Sequence, residues 1–125
     1  MGQFRFENLT IWQNSIQILD TFFDISEQLN DKKFYRFSEQ LRSAALSISN
    51  NIAEGSGSFS DRDFAKFLNY SRRSIFECVN MTIVLQRRQL INNNTKEEIL
   101  SNLNHLSGQI TNFRKTLLKT NTRSS

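Results

Sequence analysis

Apolar residues recur along this chain at intervals of three and four in four separate stretches, and no stretch alternates with the period of two that a half-buried strand requires. The first stretch, about residues 9–29, sets Ile11, Ile18, Phe22, Ile25 and Leu29 along one line and Trp12, Ile16, Leu19 and Phe23 along the next. Half of that cylinder is apolar. The second, about 38–54, opens at Ser38, which reads as an N-cap followed by Glu39 in the first turn. Its core line is Leu41, Ala45, Ile48 and Ile52, widened by Ala44, Ser47 and Asn51, and Gly55 is expected to end the helix in the left-handed conformation. Small residues there predict a closely approaching neighbour.

The third stretch, about 61–90, is announced by Ser60-Asp61-Arg62-Asp63, in which the Ser60 hydroxyl and the Asp63 carboxylate can cap amides reciprocally, with Phe59 and Phe64 as a hydrophobic staple. Phe64, Leu68, Ser71, Ile75, Cys78, Thr82 and Leu85 form its inner line. The fourth, about 96–119, follows a second apparent capping box at Thr95-Lys96-Glu97-Glu98 and carries Ile99, Leu103, Leu106, Ile110, Phe113 and Leu117. The polar tail 120–125 has no apolar anchor and is expected to be disordered. Short polar joints make consecutive helices antiparallel neighbours, so the expected fold is a single all-α domain, an up-down-up-down four-helix bundle over residues 1–125. A chain of 125 residues buries about two thirds of its unfolded surface without a metal or disulfide.

The motif Asn51-Ile52-Ala53-Glu54-Gly55 resembles that of the small bacterial four-helix-bundle proteins named after intervening sequences in 23S rRNA genes. The resemblance extends over about two thirds of the chain, from Leu9-Thr10-Ile11-Trp12-Gln13 through Gln40-Leu41-Arg42 to Ser74-Ile75-Phe76-Glu77. It departs at three places. Ser49 stands where the family usually has proline, no proline follows the aromatic near Phe34, and Arg73 replaces a usual glycine. With no proline anywhere, the second helix is expected to run straighter than in the family. The resemblance implies Arg42, Asn51, Glu54 and Glu77 as a set of structural motif residues. It also implies homopentamers, as in the accessory bundle proteins of diversity-generating retroelements, which bind nucleic acid and a reverse transcriptase.

Charge changes the picture more than composition does. The net charge is +4, but residues 1–31 hold five acids and one arginine, and the remainder holds fifteen basic and seven acidic residues. An acidic first quarter thus precedes a basic body. At 100° per residue, Arg62, Lys66, Arg73, Arg87 and Arg88 fall opposite the inner line of the third helix, a row that either tracks RNA or DNA phosphates or is a solvated helix face. Lys32, Lys33, Arg36 and Arg42 extend it. Arg114, Lys115 and Lys119 have another reading, as cations offsetting the dipole in a last turn.

Self-association has its own pattern. Phe76, Met81, Ile83 and Val84 lie off the inner line of the third helix, more apolar surface than one bundle covers. Asp20, Asp24 and Glu27 form an acidic outer face on the first helix that a neighbour's basic face can oppose, a head-to-tail contact that closes a ring. A second reading makes the apolar patch a docking site for a different protein. Enzymatic activity is not expected, since the single His105 and single Cys78 come without paired carboxylates, a glycine-rich phosphate loop or metal-ligand spacing. Nor is a cofactor. A lone cysteine and no signal-peptide pattern or membrane span point to the cytoplasm.

Overall fold

The computed structural model describes residues 2–124, with side chains described through Lys119. Four helices follow a short 3-10 turn at Arg5–Asn8: α1 Thr10–Asp31, α2 Tyr35–Ser56, α3 Asp61–Arg87 and α4 Asn93–Ser124. The expectation of a disordered tail falls on 120–125, whose side chains lie outside the described residues.

Cross-helix bonds give the direction of each packing pair. Ser71 donates to the Ile48 carbonyl at 2.8 Å, and the Ser47 and Ser74 hydroxyls meet at 2.9 Å, so residue numbers rise on α3 as they fall on α2. Arg114 Nε donates to the Ala65 carbonyl at 3.1 Å and Asn14 donates to Gln109 at 2.8 Å. The Phe64 ring meets Phe113 edge-on at 5.4 Å. Each helix therefore runs against its sequence neighbour, and α1 runs against α4. The α1–α2 and α3–α4 loops lie at one end of the bundle, and the α2–α3 loop at the other.

The inner lines become one core. Phe22, Leu41, Ile48, Ile52, Phe64, Leu68, Ile75, Leu85, Leu103 and Ile110 are essentially sealed from solvent. Burying each such side chain contributes about 1.5–3 kcal/mol relative to leaving it exposed. Polar groups inside this core are hydrogen-bonded: Ser26 and Ser38 pair at 2.8 Å across α1 and α2, and Thr82 donates to the Cys78 carbonyl at 2.7 Å.

Several local expectations are corrected. Ser38 lies inside α2, which starts at Tyr35, because its hydroxyl is engaged across the core with Ser26 rather than capping an end. Gly55 is helical and buried, and no glycine has positive φ; α2 ends at Gly57 in the right-handed region. Among the described residues the two with positive φ are non-glycine, Lys33 at 68° and Gln89 at 61°. Ser60 does cap α3, accepting from the Asp63 amide at 3.1 Å, but Phe59 stands fully exposed and forms no staple. The side-chain oxygen of Asn92 bonds the Thr95 amide at 2.7 Å, so the cap of α4 is Asn92 and the helix starts before Thr95. Phe23 is 38% exposed rather than inside. Arg114 sits in mid-helix on the Ala65 carbonyl instead of in a last turn.

Candidate nucleic-acid interface

Arg62, Lys66, Arg73 and Arg87 are exposed along one side of α3, and Arg88 continues the row as the residue that caps the helix end. The separation from Arg62 to Arg87 is about 37 Å at 1.5 Å per helical residue. Among the described residues the one ion pair is Lys96–Glu97, so these five guanidinium and ammonium groups lie outside any ion pair. Asn69, Glu77 and Asn80 are exposed on the same side, which makes the row basic but not continuous. Arg42 does not join it. Nine residues from Asn51 on α2, it lies about 180° around the helix and is half-buried toward α1.

The motif residues divide accordingly. Asn51 donates to the Ser47 carbonyl at 2.8 Å and to its hydroxyl at 3.2 Å, while Ser47 pairs with Ser74 on α3. Together with Tyr70, Arg73 and Glu77 they line an open polar cleft of about 400 Å³ between α2 and α3. Asn51 and Glu77 are thus brought together, Arg42 faces the other way, and Glu54 is exposed. Arg73, where the resemblance leads one to expect glycine, sits at the edge of that cleft.

The expected assembly patch is narrower than its sequence pattern. Phe76 is 53% and Ile83 39% exposed, and Val84 is half-buried, but Met81 is a core residue at 7%. Met81 turns inward because α3 packs on both α2 and α4, which widens its inner face. One residue of this patch was not legible as such. The Arg72 guanidinium lies 4.8 Å over the Phe76 ring, and its Nε is a buried nitrogen with no hydrogen-bond partner among the described residues. An i, i+4 arginine–phenylalanine pair was the available signal. Asp20, Asp24 and Glu27 are all exposed, as expected, and the half-exposed Phe23 sits among them.

Cys78 and His105 are in different settings. Cys78 is buried in the core, and burial, with the Glu77 carboxylate adding to it, pushes its thiol from the ordinary 9.0 up to about 12. It stays protonated at neutral pH and is no nucleophile there. His105 is exposed on α4, lining a polar cleft of about 340 Å³ against Asn14, Gln17 and Thr21 of α1. No group of three metal-ligating side chains is found among the described residues. None of their helices is long and apolar enough to cross a membrane.

Comparison with known proteins places these features in a family. The model of the 23S rRNA-intervening sequence protein family matches residues 7–112. A solved structure of a protein of unknown function, from the S23 ribosomal protein family of Bacteroides thetaiotaomicron VPI-5482, is similar in fold. It is 21% identical with a TM-score of 0.80, over 85% of this chain and 99% of that one. No curated protein matches the chain.

Proposed function

Because the chain belongs to the 23S rRNA-intervening sequence protein family, we propose that it is a non-catalytic cytoplasmic bundle that assembles into a homopentamer and binds RNA or DNA through the basic side of α3. The observation that carries this reading is the row of exposed cations on one side of a 27-residue helix, outside any ion pair among the described residues. Phosphates attract such a row by releasing their condensed counterions. One copy offers few contacts. In a five-membered ring the formal charge of +4 per chain sums to about +20, enough to draw polyanions strongly at low salt.

The assembly half of the proposal rests on two unlike faces. On α3, Phe76 and Ile83 offer an apolar surface that carries the positive charge of the Arg72 guanidinium over the Phe76 ring. On α1, Asp20, Asp24 and Glu27 offer carboxylates around Phe23. Joined head to tail, each face answers what the other lacks, and rotation closes the ring.

A mobility-shift titration against salt tests the binding half. Affinity should fall linearly in log–log form, with a slope of about −0.9 per phosphate contacted on a duplex. The triple variant Arg62→Glu, Lys66→Glu, Arg73→Glu should lose binding with its helicity intact. Affinity that ignores salt, or survives the reversal, rejects the reading. The alternative is a protein–protein adaptor or scaffold without nucleic-acid binding, and the Phe76–Ile83 patch is the observation that favours it. A monomeric mass by light scattering, with no mobility shift, would leave that one standing.

A further inference from the structure

We infer that the α1–α2 corner is a stacking site for unpaired bases, so that the protein prefers single-stranded nucleic acid to a duplex. This rests on the nucleic-acid reading above and adds to it a second locus and a ligand form. Lys32-Lys33-Phe34-Tyr35-Arg36-Phe37 holds three cations and three aromatic rings in six consecutive residues. Phe34 is 44% and Tyr35 60% exposed, and with Lys33, Arg36, Phe37 and Gln40 they line an open cleft of about 390 Å³. Every base has a π-face, so exposed rings flanked by cations hold a single strand by stacking and by phosphate contact together. In a duplex those faces are already stacked on one another.

Exposed aromatic surface alone does not make the case. Phe59 is more exposed than either ring, but it lies in a Gly-Ser loop at the other end of the bundle and is followed by Asp61 and Asp63. At the α1–α2 corner the charge has the opposite sign. Lys32, Lys33 and Arg36 share that end with Arg87 and Arg88 at the end of α3, five cations against Asp31, Glu39 and Glu98, while Lys96 is held by Glu97 at 3.2 Å. The corner therefore shares its end of the bundle with the end of the basic row of α3.

The backbone that carries the rings is also fixed before any ligand arrives. The Phe34 amide donates to the Leu29 carbonyl at 2.8 Å and the Lys33 amide to Asn30 at 2.9 Å, with Lys33 left-handed at φ 68°. That is the Schellman closure of α1, and it delivers the chain directly into α2, where the Ser38 amide bonds the Phe34 carbonyl at 3.0 Å. Just inside, the buried Ser26–Ser38 hydroxyl pair ties the two helices together. A corner fixed in this way binds without first having to be ordered.

The test compares labelled oligoadenylate with an RNA duplex of equal length, by fluorescence anisotropy on the full chain. Wild type should bind the single strand more tightly, and Phe34→Ala with Tyr35→Ala should weaken it at least about fivefold while leaving duplex binding unchanged. Tyr35→Phe keeps the ring and should bind as wild type. A 2-aminopurine in the strand should be quenched by wild type and not by the double alanine variant. Circular dichroism confirms that these exposed substitutions leave the helices intact. Duplex binding equal to or tighter than single-strand binding, or a double variant that binds the single strand as wild type does, overturns the inference and leaves the α3 reading standing. Binding of neither probe overturns both.

Discussion

Replacing Gly55 by alanine adds one methyl group where Phe64 and Phe67 of α3 press against α2. A Cβ there would lie 2.8 Å from the Phe67 Cβ and 2.8 Å from the Phe64 Cδ1, against a comfortable carbon–carbon separation of about 3.5–4.0 Å. The Phe67 Cβ is fixed to its backbone and cannot swing aside. The Phe64 ring is wedged between the Phe113 edge at 5.4 Å and the Arg5 guanidinium at 5.1 Å. Overpacking of this kind costs about 1–3 kcal/mol, while alanine in place of glycine in a helix contributes about 1 kcal/mol of propensity. With two contacts this short and one of them rigid, the cost falls at the upper end, and the net loss is about 2 kcal/mol.

Gly108 is the control, because it is exposed within α4 and a Cβ there meets no atom within 4 Å. Gly108→Ala should therefore gain the propensity term alone, about 1 kcal/mol. For a chain of this length 1 kcal/mol corresponds to about 4 °C. The two alanines should move the midpoint in opposite directions, by about 8 °C down and 4 °C up. Thermal and urea melts followed by circular dichroism at one protomer concentration read this directly. If both alanines raise the midpoint alike, the close approach of α2 to α3 is wrong.

Two further outcomes follow from local geometry and burial. Cys78 keeps its proton when folded up to about pH 12 but loses it from 9.0 upward when unfolded, so its contribution to stability is complete below pH 9 and shrinks above it. The slope is about 1.4 kcal/mol per pH unit between those values, absent in Cys78→Ala, and alkylation of the native protein at pH 8 should proceed only through opened molecules, accelerating as urea raises their population. Gln89→Gly should stabilise the α3–α4 joint by up to about 1 kcal/mol, because the left-handed φ of 61° penalises a side chain; a lower urea midpoint would count against it.

The four helices could be read from apolar spacing because each buries a face of period 3.6, and the inner residues named from that spacing mostly lie in the core. End signals were less legible, since one residue type serves several purposes. Serine at 60 caps a helix while serine at 38 lies inside one and pairs with Ser26 across the core; each is followed by a helical pattern with an acid in its first turn, and their own sequence contexts do not tell them apart. Glycine at 55 answers a demand for space from Phe64 and Phe67, which arrive from another helix, and not a demand for positive φ. Met81 and Phe23 were misplaced for a related reason. Which side of a helix is inside depends on how many neighbours it has, and α3 has two broad ones while α1 meets α4 over a short length. The N-terminal turn escaped notice altogether, although Phe6 packs edge-on to Trp12 at 5.2 Å and Glu7 accepts from the Phe4 amide at 2.9 Å. Of the candidate site, the cation row was visible from the helical wheel, but the cleft joining Asn51 to Glu77 required the register of two helices.

The proposed assembly and the proposed phosphate binding both draw on α3, and they draw on different sectors of it. Taking 100° per residue, Arg62, Lys66, Arg73 and Arg87 centre about 70° away from Arg72, Phe76 and Ile83. A neighbour seated on the apolar sector would leave the far side of the row, Arg62, Lys66 and Arg73, facing away from the contact centre, and every added protomer would bring its own row to the same rim. Phe76→Asp separates the two roles. An aspartate on the apolar sector should dissociate the ring, since it removes the Phe76 ring from the contact, engages the Arg72 guanidinium that lay over that ring, and sets one more carboxylate against those of the neighbour's α1. It leaves all the row cations unaltered, and Phe76 is more than half exposed, so helicity should persist. If binding depends on summed rows, the dissociated variant should show a much shallower salt slope on a long duplex than wild type, with fewer counterions released per complex. A variant that light scattering shows to be monomeric and that keeps the wild-type slope would mean that a single row makes every phosphate contact, and the ring would then have no part in binding.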